Sequence, residues 1–264
     1  MKGPSKLAAQ IGERILPALT MAIFVLGWEF LVRARGIPPI YLPAPSAIAV
    51  QLYQMAVDGS LLHNLALTLA RIFAGFALAG FCGILAGLLM GMSRVVARTA
   101  DAWIAALYPL PKISLIPLLI IWLGTGEAYK IVISAVTAFF PIVISTYTGI
   151  RQVDRGLLKT AIDLGASRAQ VQTKIVIPAA IPSILAGLQL GMGVTIILVV
   201  AAEMIGGSAQ GGMGYLLISS GQVMETEKVF ASLVVLAVAG AIIIKGQQWL
   251  DRKIAPWALQ REDR

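Results

Sequence analysis

Polar chemistry is scarce in this chain. It has one cysteine, Cys82, and one histidine, His63. A lone cysteine excludes an internal disulfide, and its neighbours Gly80, Phe81 and Gly83 read as a packing position in an apolar run. One histidine without carboxylate or thiol neighbours excludes a metal site. Charged residues make up 13% of 264 positions, against about 25% in soluble domains. No G-x-x-x-x-G-K-S/T phosphate loop is present, so ATP is not bound and hydrolysed here by that route. Apolar residues take up the difference, at 58% of the chain and a mean hydropathy of +0.84. A soluble globule of this length cannot hide so much apolar surface, which makes lipid the natural solvent.

A span needs about 20 mostly apolar residues. Six runs qualify: Ile15–Val32, Ile72–Gly91, Trp103–Leu123, Ile131–Ile150, Ser183–Ile205 and Val229–Ile244. Lys228 and Lys245 can snorkel from the ends of the last and lengthen it. The first run follows Lys2, Lys6 and Arg14 but has no small-residue cleavage site after it, so it reads as a retained helix rather than a secretory signal. With the N-terminus inside, the outer segments hold only Arg33, Arg35, Arg71, Lys130 and Lys228 of the 21 lysines and arginines. Lys112 lies within a span and the others fall inside. The positive-inside rule then puts both ends in the cytoplasm. The net charge of +8 is therefore a topology signal, and no basic face on a soluble domain is available for nucleic acid.

Pro38, Pro39, Pro43 and Pro45 punctuate the outer segment 34–64, and Ser46 reads as the N-cap of a short helix Ala47–Val57. That helix lies along the outer membrane surface or is an ordinary connector. Gly83, Gly87 and Gly91 stand four apart on one face of the second span, and Gly187 and Gly191 repeat the pattern in the fifth, which predicts close helix approach. The third span is interrupted by Pro109, Pro111 and Pro117, with Lys112 near its midpoint. Glu203 is the second intramembrane charge. A Lys at mid-bilayer costs roughly 2.5–3.5 kcal/mol on insertion scales, so Lys112 should face the bundle interior. Lys112 and Glu203 mark a translocation pathway, or each is paired structurally with backbone groups or another helix.

The polar loop 150–178 reads as two short helices. The first runs from about Asp154 to Leu164 and stops at Gly165. Ser167 and Gln170 form a capping box for the second, which Pro178 and Pro182 end as they start the next span. Leu157, Leu158, Ala161 and Leu164 share one stripe of the first helix, and a short amphipathic helix there needs headgroups or a partner protein to cover it. Ala161, Gly165 and Val171 also match helix-turn-helix offsets. Anchorage between two spans, however, leaves no room to enter a major groove.

The loop resembles the cytoplasmic signature of ABC importer permeases, E-A-A-x-x-x-G followed by nine residues and I-x-L-P. Ala161, Gly165, Ile175, Ile177 and Pro178 fall on that register, and Asp163-Leu164-Gly165-Ala166-Ser167 is the form common within the signature. Lys159 and Thr160 stand where Glu and the first Ala are usual. The likeness extends over roughly residues 40–250 and is similar to the nitrate/sulfonate/taurine branch. It rests also on Pro43-x-Pro45-Ser46, Pro111-Lys112-Ile113, Ile116-Pro117-Leu118, Trp122-Leu123-Gly124-Thr125-Gly126-Glu127, Phe139-Phe140-Pro141-Ile142, Thr146-Tyr147-x-Gly149 and Ala202-Glu203-Met204-Ile205-Gly206.

The resemblance implies an all-α integral membrane protein of about six spans with the type I importer permease fold. It divides the chain into residues 1–63 (tail, first helix and outer segment), a transmembrane domain 64–250 and a cytoplasmic tail 251–264. It implies a transport subunit of the bacterial inner membrane with no catalytic, metal or cofactor residues of its own. ATP and Mg would be held by two separate ATPase subunits docked on Lys159, Thr160, Ala161, Asp163, Leu164, Gly165, Ala166 and Ser167. A second permease copy would complete the pore, and a periplasmic or lipid-anchored binding protein would deliver solute. The solute expected is a small anion such as nitrate, taurine or another sulfonate, passing Lys112 and Glu203. The alternatives are a heterocyclic vitamin precursor carried by the same machine, or a stand-alone secondary transporter. Few intramembrane carboxylates and no internal hydropathy repeat speak against the last.

Overall fold

The computed structural model describes residues 6–206 and 210–257, with side chains from Ile15 onward. The side chains of Lys2, Lys6, Arg14, Arg261 and Arg264, and the end of the expected tail 251–264, lie outside the described residues. Among those described, regular structure is helical throughout. The helices are α1 (Lys6–Arg35), α2 (Pro45–Val57), α3 (Ser60–Met92), α4 (Arg94–Leu107), α5 (Ile116–Leu123) and α6 (Ala128–Arg151), followed by α7 (Arg155–Asp163), α8 (Arg168–Val171), α9 (Ile177–Ile205), α10 (Met213–Gln222) and α11 (Thr226–Ile254). A 3-10 turn, Lys112–Leu115, precedes α5, and a π turn, Gln172–Val176, joins α8 to α9.

Five stretches are long and apolar enough to cross a bilayer, and the pair α4 and α5 makes a sixth if taken as one span. The third span, expected over Trp103–Leu123 with interruptions at its prolines, is the bent pair α4 and α5, and it begins earlier, at Arg94. The chain bends by 86° between the two helices, because Pro109 and Pro111 remove two of the backbone donors that would continue α4. Fixed spans elsewhere are longer than expected: α3 begins twelve positions before Ile72, and α11 has 29 residues. Pro178 and Pro182 do not end a helix either. The Ile177 N–H reaches the Gln172 carbonyl through the π turn, so Pro178 falls in the first turn of α9, where no N–H is needed. Pro182 is carried inside α9.

The chain forms two units, Met1–Leu62 with Leu216–Val235, and His63–Tyr215 with Leu236–Arg264. In the first, Ile48, Met55 and Ala231 form a buried cluster, with Trp28, Leu52 and Phe230 against it. Ser46 is not the N-cap of α2. Ala44 holds that position with Pro45 in the first turn, and the Ser46 N–H and hydroxyl instead donate to Glu29 of α1 at 3.0 and 2.8 Å.

In the second unit α6 runs between α3 and α9, and the glycine seams explain how. A Cβ at Gly87 would sit 2.5 Å from Thr146, one at Gly91 2.5 Å from Ile150, and one at Gly187 2.6 Å from Ser145. Backbone approaches side chain directly along α6, as small residues allow in lipid-solvated helices. Cys82, on α3, is exposed rather than packed. Gly87→Val should cost about 1–3 kcal/mol by overpacking, read as a lower melting temperature in detergent. A variant that melts with the wild type would contradict the seam.

Candidate functional site: a buried ionic network and a capped loop

Two constructions in the second unit bear on function. One is a charge network on α3. Asn64, Thr68 and Arg71 are buried at i, i+4 and i+7 of an otherwise apolar helix. The Arg71 guanidinium, 2% exposed, is bidentate to Glu127, with Nε and Nη2 each 2.6 Å from a carboxylate oxygen. Its Nη1 donates to Glu203 at 2.6 Å and to the Gly211 carbonyl at 2.9 Å. Glu203 also accepts from the Thr68 hydroxyl at 2.9 Å and from the Gly214 N–H at 2.8 Å. Lys130, fully buried, donates to Glu127 and to the Gln210 side chain, each at 3.3 Å. Two cations and two carboxylates therefore cancel. Paired, hydrogen-bonded charges are the form in which ions tolerate a low dielectric.

The network clasps the start of α10. The Asn64 carbonyl accepts from the Gly212 N–H at 2.7 Å, and the Thr68 hydroxyl from the Met213 N–H at 2.8 Å. Gly212 must be glycine. Its φ is +115°, and a Cβ there would lie 2.4 Å from Arg71 Nη1. Glu127 sits in the connection before α6, and the Arg71 guanidinium holds its carboxyl below the usual carboxylate range against the opposing effect of partial burial.

The two charges singled out in the sequence take different positions. Glu203 is 1% exposed and belongs wholly to this network. Lys112 stands at the break after α4. Pro111 has no N–H for the Leu107 carbonyl, and the Lys112 ammonium donates to that oxygen at 3.3 Å and also to the Tyr108 carbonyl. The same ammonium lies 4.7 Å from the centroid of the Phe140 ring. It thus satisfies the end of a broken helix, where a positive charge is favoured. Arg71 and Lys130, counted as outer-segment charges from the sequence, lie inside α3 and α6.

The other construction is the α7–α8 loop. Asp154 caps α7, accepting from the N–H groups of Gly156 and Leu157 at 2.6 and 3.0 Å. At the far end Gly165 has φ +86°. Its N–H reaches the Ile162 carbonyl and that of Ala166 reaches Ala161, at 2.9 and 3.0 Å, which is the Schellman pattern. Ser167 and Gln170 then exchange both bonds of a capping box. Both caps match the sequence expectation. The apolar stripe does not stay whole: Leu158 and Ala161 pack on a core of Ile150, Val153, Val171 and Val176. A helix expected to have nothing of its own to bury against is therefore braced from below. What remains outward is Leu157, Ile162 and Leu164, the last 83% exposed. Lys159, Asp163, Gly165 and Ser167 are exposed beside them, Ala161 and Ala166 only partly. The Thr160 hydroxyl turns back to the Gly156 carbonyl at 3.0 Å.

A multi-span helical protein with a rigidly capped, apolar-tipped loop between two spans has the build of an importer permease. Solved structures of ABC transporters share its fold. An inward-facing MetNI methionine ABC transporter aligns with a TM-score of 0.62 at 22% identity, covering 74% of this chain and 95% of that one. An amino acid ABC transporter aligns with a TM-score of 0.59 at 19% identity. Residues 79–256 match the family described as binding-protein-dependent transport system inner membrane component, and the chain belongs to that family of ABC importer permeases. It is 34% identical to the taurine transport system permease protein TauC of Escherichia coli K12, over 90% of this chain and 88% of that protein. It is 33% identical to the putative aliphatic sulfonates transport permease protein SsuC of Bacillus subtilis 168, over 92% and 86%. Membership makes the chain a transport subunit rather than an enzyme, and removes the stand-alone secondary transporter as a reading.

Proposed function

We propose that this chain forms the pathway of an ATP-driven importer for small organic sulfonates and takes its driving force from a separate ATPase through the α7–α8 loop. The observation that carries the coupling is the exposed Leu157, Ile162 and Leu164 on a helix capped at both ends and braced on its inner side. A short element held in this way transmits displacement instead of absorbing it, and its apolar tip is of the kind a protein groove covers. Asp163, Gly165 and Ser167 complete that contact, with Lys159 and Thr160 replacing the usual acidic and alanine positions. The Thr160 hydroxyl is taken up by the Gly156 carbonyl, which leaves Lys159 as the charged group facing a partner there.

The likeness to permeases named for taurine and aliphatic sulfonates supports the solute class. In this reading two ATPase subunits, holding ATP and Mg, dock on a dimer of the chain, and a binding protein delivers the sulfonate from outside the inner membrane. Both termini face the cytoplasm, on the side of the loop. Lys112 lies beside the pathway at the α4–α5 bend, while Glu203 acts as a buried brace of the wall. The experiment is to purify the chain with its ATPase and binding protein and assay hydrolysis with taurine, an alkanesulfonate, nitrate and a thiazole or pyrimidine precursor. Stimulation by a sulfonate alone is expected. Stimulation by the heterocycle alone would replace the solute assignment.

A further inference from the structure

Where α7 leaves α6, a cavity of about 520 Å³ opens between the end of α3 and the starts of α4 and α7. Its walls carry Arg94 and Arg98 of α4, Arg151 of α6 and Arg155 of α7, with Asp101 as the one acidic side chain. Arg94, Arg98 and Asp101 share one face of α4 at helical spacing. The buried Ile150 and Val153 also line the cavity, so the charges stand against an apolar backing where water screens them less. Arg151 is already oriented: it donates a 2.7 Å bond to the Tyr147 hydroxyl, and its guanidinium lies over that ring. Among the described residues no ion pair engages Arg94, Arg98 or Arg155.

We propose that this cavity binds a tetrahedral oxyanion, the chemistry shared by free phosphate or sulfate, a sulfonate and a phospholipid headgroup. A positive-inside bias asks only that arginines lie on one side of the bilayer, and scattered loop positions satisfy it. It does not ask that four of them, from three helices, face one cavity with a single carboxylate among them. Four guanidiniums around one cavity repel, and an anion between them turns that repulsion into attraction. The planar fork of arginine donates to oxygens in pairs. A carboxylate presents two oxygens, enough for one fork, whereas a phosphate, sulfate or sulfonate presents three or more in different directions, which arginines from separate helices can share. An oxyanion held by α4 and α7 together ties α4 to the base of the α7–α8 loop. Its binding does not depend on what covers Leu164.

The test uses the purified full chain in an uncharged detergent at constant ionic strength, titrated with sulfate, inorganic phosphate, ethanesulfonate, acetate or chloride. Low millimolar concentrations keep the general stabilisation by sulfate and phosphate small. The three tetrahedral oxyanions are expected to raise the melting temperature saturably and to slow hydrogen exchange at residues 155–158, and acetate and chloride to do neither. Arg94→Gln with Arg98→Gln should weaken sulfate binding about tenfold, and Asp101→Asn should tighten it about threefold. Should the double variant not purify, Arg155→Gln alone should weaken binding about threefold. Phosphatidylglycerol in the same detergent separates the sources: competition with sulfate makes a headgroup the occupant in the membrane, and no competition leaves a free anion. Either result keeps the site. Equal effects of chloride and sulfate, or a sulfate response untouched by the arginine variants, would overturn the proposal. So would arginine variants that lose the ATPase subunit while the wild type shows no oxyanion response, which would make the cavity a protein contact.

Discussion

Arg71→Ala is expected to destabilise the protein by about 3–5 kcal/mol, the cost of removing one partner from a buried ion pair. The effect is large because the guanidinium serves two carboxylates and a backbone carbonyl at once. Without it Glu203, essentially inaccessible to water, is left as an uncompensated charge beside Gly212 and Gly214. Arg71→Lys keeps the charge but not the fork that grips Glu127, and should fall between the wild type and Arg71→Ala. Glu203→Gln removes the stranded charge and should be milder than Arg71→Ala. Melting in detergent and recovery of monodisperse protein check the order. An Arg71→Ala protein that melts with the wild type would mean that the network is ornamental.

The second large effect is expected at the loop tip. Gly165 has open space around its Cα, so Gly165→Asp meets no steric block and costs only the left-handed backbone, about 1–2 kcal/mol. Leu164→Asp puts a charge on a side chain that is 83% exposed. Neither disturbs the core beneath, where Leu158 and Ala161 are seated. Both variants should insert and fold, yet lose coupled uptake by tenfold or more in membrane vesicles containing the whole transporter. Normal uptake by Gly165→Asp would remove the docking assignment.

The parts of this architecture that follow local rules are readable in the sequence. Gly165, Ser167 and Gln170 announce a Schellman stop and a capping box, and both are formed. The four-residue glycine spacing in α3 and α9 announces close contact, although only the structure shows α6 as the shared neighbour. Hydropathy finds every span but misjudges ends. Drawing the second span from Ile72 leaves Arg71 outside the membrane, where a charge needs no explanation. The better signal is the polar stripe Asn64, Thr68, Arg71 at helical spacing, since a stripe of this kind on an apolar helix must meet polar partners. Those partners lie far off in sequence, at Glu127, Glu203 and residues 210–214, and no local pattern links them.

Prolines show the opposite difficulty. Pro109, Pro111 and Pro117 mark the third span as broken, but a missing donor says nothing about the angle of the break. Pro178 and Pro182 look like helix ends, yet Pro178 is absorbed in the first turn of α9 behind a π turn and Pro182 is carried inside that helix. The stripe Leu157, Leu158, Ala161, Leu164 is a single face on paper. It divides because the core formed by Val153 and Val171 covers only one side of α7.

The account turns on whether the outward half of that stripe meets the ATPase. A photo-crosslinking side chain placed at Leu164 in the assembled transporter tests this directly, with His63 at the start of the second unit as the comparison position. Crosslinking to the ATPase subunit from Leu164 and not from His63 is the result predicted. A Leu164 probe that labels only lipid or the permease itself, in the presence of bound ATPase, would contradict it.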